Sequence, residues 1–158
     1  MGYDFNASEI LLMAEKIEQN GAKFYRTCAE GVSDLNARQL LVNLASMEEK
    51  HEKTFQSMRS RLSDSEKQPT AFDPENETLM YLKALADTRV FFKKTVDTSS
   101  LQEILKDAIH AEKDSIVFYL GMKEMVPPSL GRERIDAIIK EEMGHITLLS
   151  RHLVALDR

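Results

Sequence analysis

Glu48-Glu49-Lys50-His51 and, further along, Glu142-Met143-Gly144-His145 each place a glutamate three positions before a histidine. On a helix, residues i and i+3 share a face about one turn apart, so each pair can converge on one point. Moving outward, both motifs have the same company upstream: Glu18 with Phe24-Tyr25 before the first, Glu112 with Phe118-Tyr119 before the second. Glu18 and Glu112, Phe24 and Phe118, Tyr25 and Tyr119, Glu48 and Glu142, His51 and His145 are all 94 residues apart. A single Glu-x-x-His is often a surface pair, but a shared offset across five positions is a repeat. Four carboxylates and two imidazoles in this pattern read as a two-metal site inside a helical bundle.

The flanking sequence supplies the helices. Asn6 with Glu9 forms a capping-box start, and the face Ile10, Leu11, Ala14, Ile17, Gly21, Ala22, Phe24, Tyr25, Cys28 follows until Gly31 ends the helix. Glu18 lies inside that apolar face. A second helix starts at Ser33-Asp34 or Asn36 and runs to about Leu62, burying Leu40, Leu41, Leu44, Met47, Phe55 and Met58, with Glu48 and His51 interrupting the stripe. Ser99 or Ser100 caps the third helix, whose inward side is Leu101, Ile104, Leu105, Ala108, Ala111, Ser115, Phe118, Tyr119 and Met122, broken by Glu112. Pro127-Pro128 stops it, and the fourth runs from about Ser129–Arg132 to Leu156 with Ile135, Ile138, Glu142, His145, Leu148 and Leu149 inward. The organisation expected is one all-α domain over 1–158: a helical hairpin at about 7–62, a crossover at about 63–99, and a second hairpin at about 100–156. A helix of roughly 26 residues is about 39 Å long, a span the crossover can cover while carrying a short helix of its own. That helix is expected after Asp73-Pro74, through Leu79, Leu82, Leu85 and Phe91-Phe92.

Composition narrows the function. A net charge of −5 argues against nucleic acid or an anionic membrane surface as partner, and no run approaches 18 apolar residues. The single cysteine, Cys28, excludes a disulfide framework or a four-cysteine metal module within the 158 residues and reads as a small buried hydrophobe. Met1 to Phe5 lacks the features of a secretory signal, so a cytoplasmic location is expected.

Isolated carboxylates in a bundle core neutralise themselves or cost several kcal/mol. Two divalent cations would balance Glu18, Glu48, Glu112 and Glu142, and the neutral imidazoles of His51 and His145 complete coordination without adding charge. Mixed carboxylate and imidazole donors suit iron, with manganese or a mixed pair as alternatives; zinc takes fewer ligands and magnesium prefers oxygen and water. Glu48 and Glu142 are expected to bridge the metals, with Glu18 and Glu112 each terminal on one of them. Tyr25 and Tyr119 fall two turns past Glu18 and Glu112 and are candidate hydrogen-bond donors to the carboxylates. Glu15, whose counterpart is Ile109, is expected at the surface; Glu49 and Glu141 are expected on a solvated face, and His110 and His152 outside the site.

These six residues and the two Phe-Tyr dipeptides resemble the rubrerythrin-type branch of the ferritin-like superfamily over essentially the whole chain. The resemblance implies a four-helix bundle with a long crossover between helices two and three, a non-haem di-iron centre and a homodimer. It carries Glu18, Glu48, His51, Glu112, Glu142 and His145 over as metal ligands. The activity implied is oxidation of ferrous iron by peroxide or dioxygen, as a peroxide scavenger served by a separate electron-donor protein or as a ferroxidase. Two departures stand out. There is no rubredoxin module in the sequence, and the extra carboxylate that typical members carry one turn after the third-helix ligand is Ser115 here. The alternative expectation is a metal-stabilised, non-catalytic interaction or sensor module.

Overall fold

The computed structural model describes residues 6–66 and 97–158, together with positions 77, 80–82 and 84. Four long helices dominate: α1 (Ala7–Gly31), α2 (Leu35–Ser60), α3 (Leu101–Met125) and α4 (Arg132–Leu156). A single 3-10 turn, Pro128–Leu130, precedes α4, and no strand occurs among the described residues.

Three of the four starts are written in a short polar side chain. Asn6 accepts the Glu9 backbone N–H at 3.0 Å, Asp34 that of Ala37 at 2.8 Å, and Ser100 that of Glu103 at 3.3 Å. Each supplies a partner for one of the donors a first turn leaves unpaired. Helix α2 therefore begins from Asp34 rather than Asn36. The fourth start is different: Gly131, at φ 82°, makes a left-handed turn after the prolines and offers no side-chain cap. Helix α1 does end at Gly31, but not through a left-handed glycine, because the chain leaves through extended Val32. Gly31 is small for another reason: a Cβ there would overlap the Thr98 side chain.

The helices form two hairpins, α1 against α2 and α3 against α4, which meet through α1 with α3 and α2 with α4. Apolar side chains gather in two separate clusters. One joins the start of α1 (Ile10, Leu11, Ala14, Ile17) to the end of α2 (Phe55, Met58), the end of α3 (Phe118, Met122) and the start of α4 (Ile135, Ile138). The other joins the end of α1 (Phe24, Cys28) to the start of α2 (Leu40, Leu41, Leu44), the start of α3 (Ile104, Leu105, Ala108) and Leu149 late in α4. Between these layers lies a polar one.

Most of the inward residues read from the sequence are buried, with three corrections: Met47 and Leu101 are half-buried, and Leu148 is 39% exposed because Leu149 takes the inward position. In the crossover, positions 77, 80–82 and 84 are helical. Leu82 is buried in the first apolar cluster, and the Tyr81 hydroxyl donates to the Val117 carbonyl at 3.2 Å. Gly121 on α3 leaves the space these two side chains occupy. The expected Asp73-Pro74 start, Leu79, Leu85 and Phe91-Phe92 lie outside the described residues.

Candidate metal centre

The polar layer is built from all four helices. Glu18 comes from α1, Glu48 and His51 from α2, Glu112 from α3, and Glu142 and His145 from α4; all six are buried, with exposures of 0–3%. Helical spacing puts each Glu-x-x-His pair on the inward face, and the hairpins bring the two pairs together. The imidazoles stack with ring centroids 5.7 Å apart and planes 18° from parallel. His51 Nδ1 lies 2.7 Å from Glu142 Oε1 and 3.5 Å from Glu18 Oε2. His145 Nδ1 lies 3.2 Å from Glu48 Oε1, 3.3 Å from Glu112 Oε1 and 3.6 Å from Glu142 Oε2.

Two overlapping sets follow, Glu18, Glu48, His51, Glu142 and Glu48, Glu112, Glu142, His145, each with one donor atom per residue and all donors within 4.8 Å of one another. Donors held at about 2.0–2.3 Å around one ion are up to roughly 4–4.6 Å apart, so each set fits a single cation after small adjustments. Glu48 and Glu142 belong to both sets, so these two carboxylates would be shared if an ion occupied each.

Hydrogen bonding points the same way. Buried polar atoms normally find partners. Of eight buried side-chain N or O atoms left without a hydrogen bond among the described residues, seven belong to these six residues: Glu18 Oε2, Glu48 Oε1, His51 Nδ1, Glu112 Oε2, both oxygens of Glu142, and His145 Nε2. Six of the seven are lone-pair oxygens pointing inward or the His51 nitrogen nearest them, which is what a cation would satisfy.

The ionisation of the cluster shows its cost. Burial first, then the charge of Glu142, pushes the Glu18 carboxyl above its usual range. Burial and neighbouring carboxylates push Glu48 and Glu112 well above theirs. Burial alone would lower the histidines, yet the nearby carboxylates, which favour the protonated ring, prevail. His51 is raised to about 11, chiefly by Glu142 and Glu18, and His145 to about 9, chiefly by Glu112 and Glu142. Glu142 is the exception, held below its usual range against burial by the close approach of Glu112, His145 and His51. Positive charge is what this layer lacks, and it recruits protons to supply it.

The tyrosines support the layer from the opposite halves. Tyr25 on α1 donates to Glu112 Oε1 on α3, and Tyr119 on α3 donates to Glu18 Oε1 on α1. Burial and the adjacent carboxylates raise both phenols well above their usual value, so they stay protonated as donors. Phe55 packs on Tyr119 at 5.2 Å and Phe24 on Tyr25 at 5.4 Å, fixing the rings. Ser115 turns its hydroxyl back to the Ala111 carbonyl at 3.0 Å and offers the cluster no carboxylate. Cys28 sits in the apolar layer, its thiol raised to about 12 by burial. His110 is exposed and His152 half-buried, both apart from the two sets.

Glu15 is not at the surface as expected, and Glu141, exposed as expected, nevertheless reaches a residue of the layer. Glu15 is 1% exposed and pairs with Arg59, with Nε at 2.8 Å and Nη2 at 3.1 Å. Glu141, half-exposed, reaches across to His51 Nε2 at 2.7 Å. Glu49 does face solvent, where Arg26 meets it.

The rubrerythrin family model matches residues 9–153. The chain belongs to the rubrerythrin family. A ferritin-like diiron-carboxylate protein from Thermotoga maritima has the same fold, with a TM-score of 0.71, 25% identity and 97% of each chain covered. No match was found among curated proteins. Within this family, a buried layer of four carboxylates and two histidines is a site for two metal ions. No helix among the described residues is long and apolar enough to cross a membrane.

Proposed function

We propose that this rubrerythrin-family chain holds two iron ions and oxidises ferrous iron with peroxide or dioxygen, as a peroxide scavenger or a ferroxidase. The observation that carries the reading is the pair of overlapping donor sets sharing Glu48 and Glu142. Glu18 and His51 would complete one iron's ligands and Glu112 and His145 the other's. Iron supplies the one-electron chemistry when bound; the chain supplies geometry, charge balance and a dry surround. The donor set favours iron, or manganese in a mixed pair, because it combines hard carboxylates with imidazoles and excludes thiolate. Tyr25 and Tyr119 hold the terminal carboxylates in place and keep their protons while the metal charge changes. His51 and Glu141 also line a surface groove of about 500 Å3 with Lys50, Lys53 and Arg134, which gives a small oxidant an approach to the histidine side of the layer. A separate electron-donor protein and a homodimeric assembly belong to the same proposal.

Anaerobic loading with ferrous iron followed by one equivalent of peroxide tests it. Two irons should bind per chain, peroxide should be consumed, and ferric charge-transfer absorbance should develop. Two tightly bound irons that stay ferrous would overturn the redox reading. That result would leave a metal-stabilised interaction or sensor module, which Ser115 in place of a further carboxylate favours. In that case metal would raise the melting temperature through linkage with no turnover.

A further inference from the structure

The repeat that builds the metal layer is broken at one position with chemical consequences. Glu141 precedes Glu142 on α4, and 94 residues earlier the corresponding residue before Glu48 is Met47. Glu141 accepts from the far nitrogen of His51 at 2.7 Å across the α2–α4 contact. The equivalent nitrogen of His145, Nε2, is buried and has no hydrogen-bond partner among the described residues. One imidazole is therefore anchored by a carboxylate on its outer side and the other is not, although their inner nitrogens face matched sets of glutamates.

We propose that Glu141 is a positioning residue that makes the two metal positions unequal. The position completed by His51 is the tighter one, and the position completed by His145 is the weaker and more exchangeable one. This rests on the two-metal reading above but not on its redox chemistry. A carboxylate on the outer N–H of a ligating histidine fixes the tautomer, leaving Nδ1 as the lone-pair nitrogen. It also holds the ring's orientation and makes Nδ1 a stronger donor. His145 has none of the three, and metal binding there leaves its outer N–H buried and unpaired. Met47 is half-buried and cannot accept a strong hydrogen bond, so the asymmetry is built into the chain. Glu141 has a side chain 52% exposed, so its replacement opens no cavity in the core.

Cobalt(II) titration of the metal-free, full-length protein against a competing chelator, read by d–d absorbance, tests this without any turnover. The wild type should bind two ions in separate steps, with affinities about 10–100-fold apart. Glu141→Ala should weaken the tighter step by about the same factor and leave the weaker one in place. Glu141→Gln, which keeps an acceptor without the charge, should fall between. Met47→Glu, which restores the missing half of the repeat, should strengthen the weaker step. Should Met47→Glu fail to fold, the two Glu141 variants decide the question alone. Two equal steps in the wild type, or equal weakening of both steps by Glu141→Ala, would overturn the inference while leaving the two-metal site intact. Absence of cobalt binding would overturn both.

Discussion

A carboxylate buried at 0% exposure in a bundle is stable only if something answers its charge, and for Glu18 and Glu112 part of that answer is a tyrosine from the other half of the chain. This crossing makes a sharp prediction. Tyr119→Phe removes the donor to Glu18, and Tyr25→Phe the donor to Glu112, while each keeps the ring that packs against its neighbouring phenylalanine. Loss of a hydrogen bond to a buried group costs about 1–3 kcal/mol, and loss of a partner to a metal ligand about 10–100-fold in metal affinity. Melting in the presence of chelator should therefore drop for each variant, and metal titration should show each weakening mainly the position its carboxylate serves. Unchanged melting in both variants would mean the tyrosines are packing residues only. The hydrogen bonds could be anticipated in kind but not in direction. The sequence puts Tyr25 two turns from Glu18 on one helix, and only the packing of α1 against α3 gives it to Glu112 instead.

At the scale of the helices, the same 94-residue repeat that reveals the site also exposes where the two hairpins differ. In the first, Glu15 on α1 and Arg59 on α2 form a forked ion pair; in the second, the same positions are Ile109 and Leu153, packed against an apolar cluster. The molecule thus contains both an ionic and an apolar solution to one contact. Arg59→Leu alone leaves the Glu15 carboxylate, 2% exposed, without its partner and should cost about 3–5 kcal/mol. The Arg59 side chain is 39% exposed, so water can replace part of its role and the lower end of that range is expected. Glu15→Ile with Arg59→Leu copies the second hairpin and should be neutral or stabilising by about 1–4 kcal/mol. Urea unfolding of the single and double variants measures both, and a double variant as unstable as the single would show that the hairpins are not interchangeable here. The same pair marks a limit of reading the chain alone. The absence of a glutamate at position 109 sets Glu15 apart from the repeat, and it lies outside both donor sets, but its burial depends on Arg59, 44 residues away on another helix. Helix starts at Asn6 and Ser100, and the inward stripes, were legible because capping and periodicity are local. Glu141 was not, because its helical position points away from its own hairpin and its partner is on α2.

For the whole molecule, the layer couples stability to pH and metal together. Glu18, Glu48 and Glu112 have carboxyls raised on folding, and His51 and His145 are raised to about 11 and about 9. Each of these groups binds its proton more tightly folded than unfolded. Each therefore favours the folded state below its unfolded value, and that contribution fades as pH climbs through the folded one. Glu142, lowered on folding, acts oppositely and loses its contribution only as pH falls below the ordinary carboxylate range. With five groups against one, the metal-free protein should melt progressively lower as pH rises from about 5 to about 9. Metal reverses this slope. Two cations take the place of the bound protons, so loading should release protons, and apparent affinity should rise with pH. Calorimetric melting with chelator and with manganese(II) across this pH range, together with proton release measured in weakly buffered titration, checks both halves. A metal-free melting temperature that holds steady or climbs toward pH 9 would mean that neither the buried carboxylates nor the two histidines hold extra protons in the folded state. The proton count on loading would then fall to near zero, and the two measurements would have to agree.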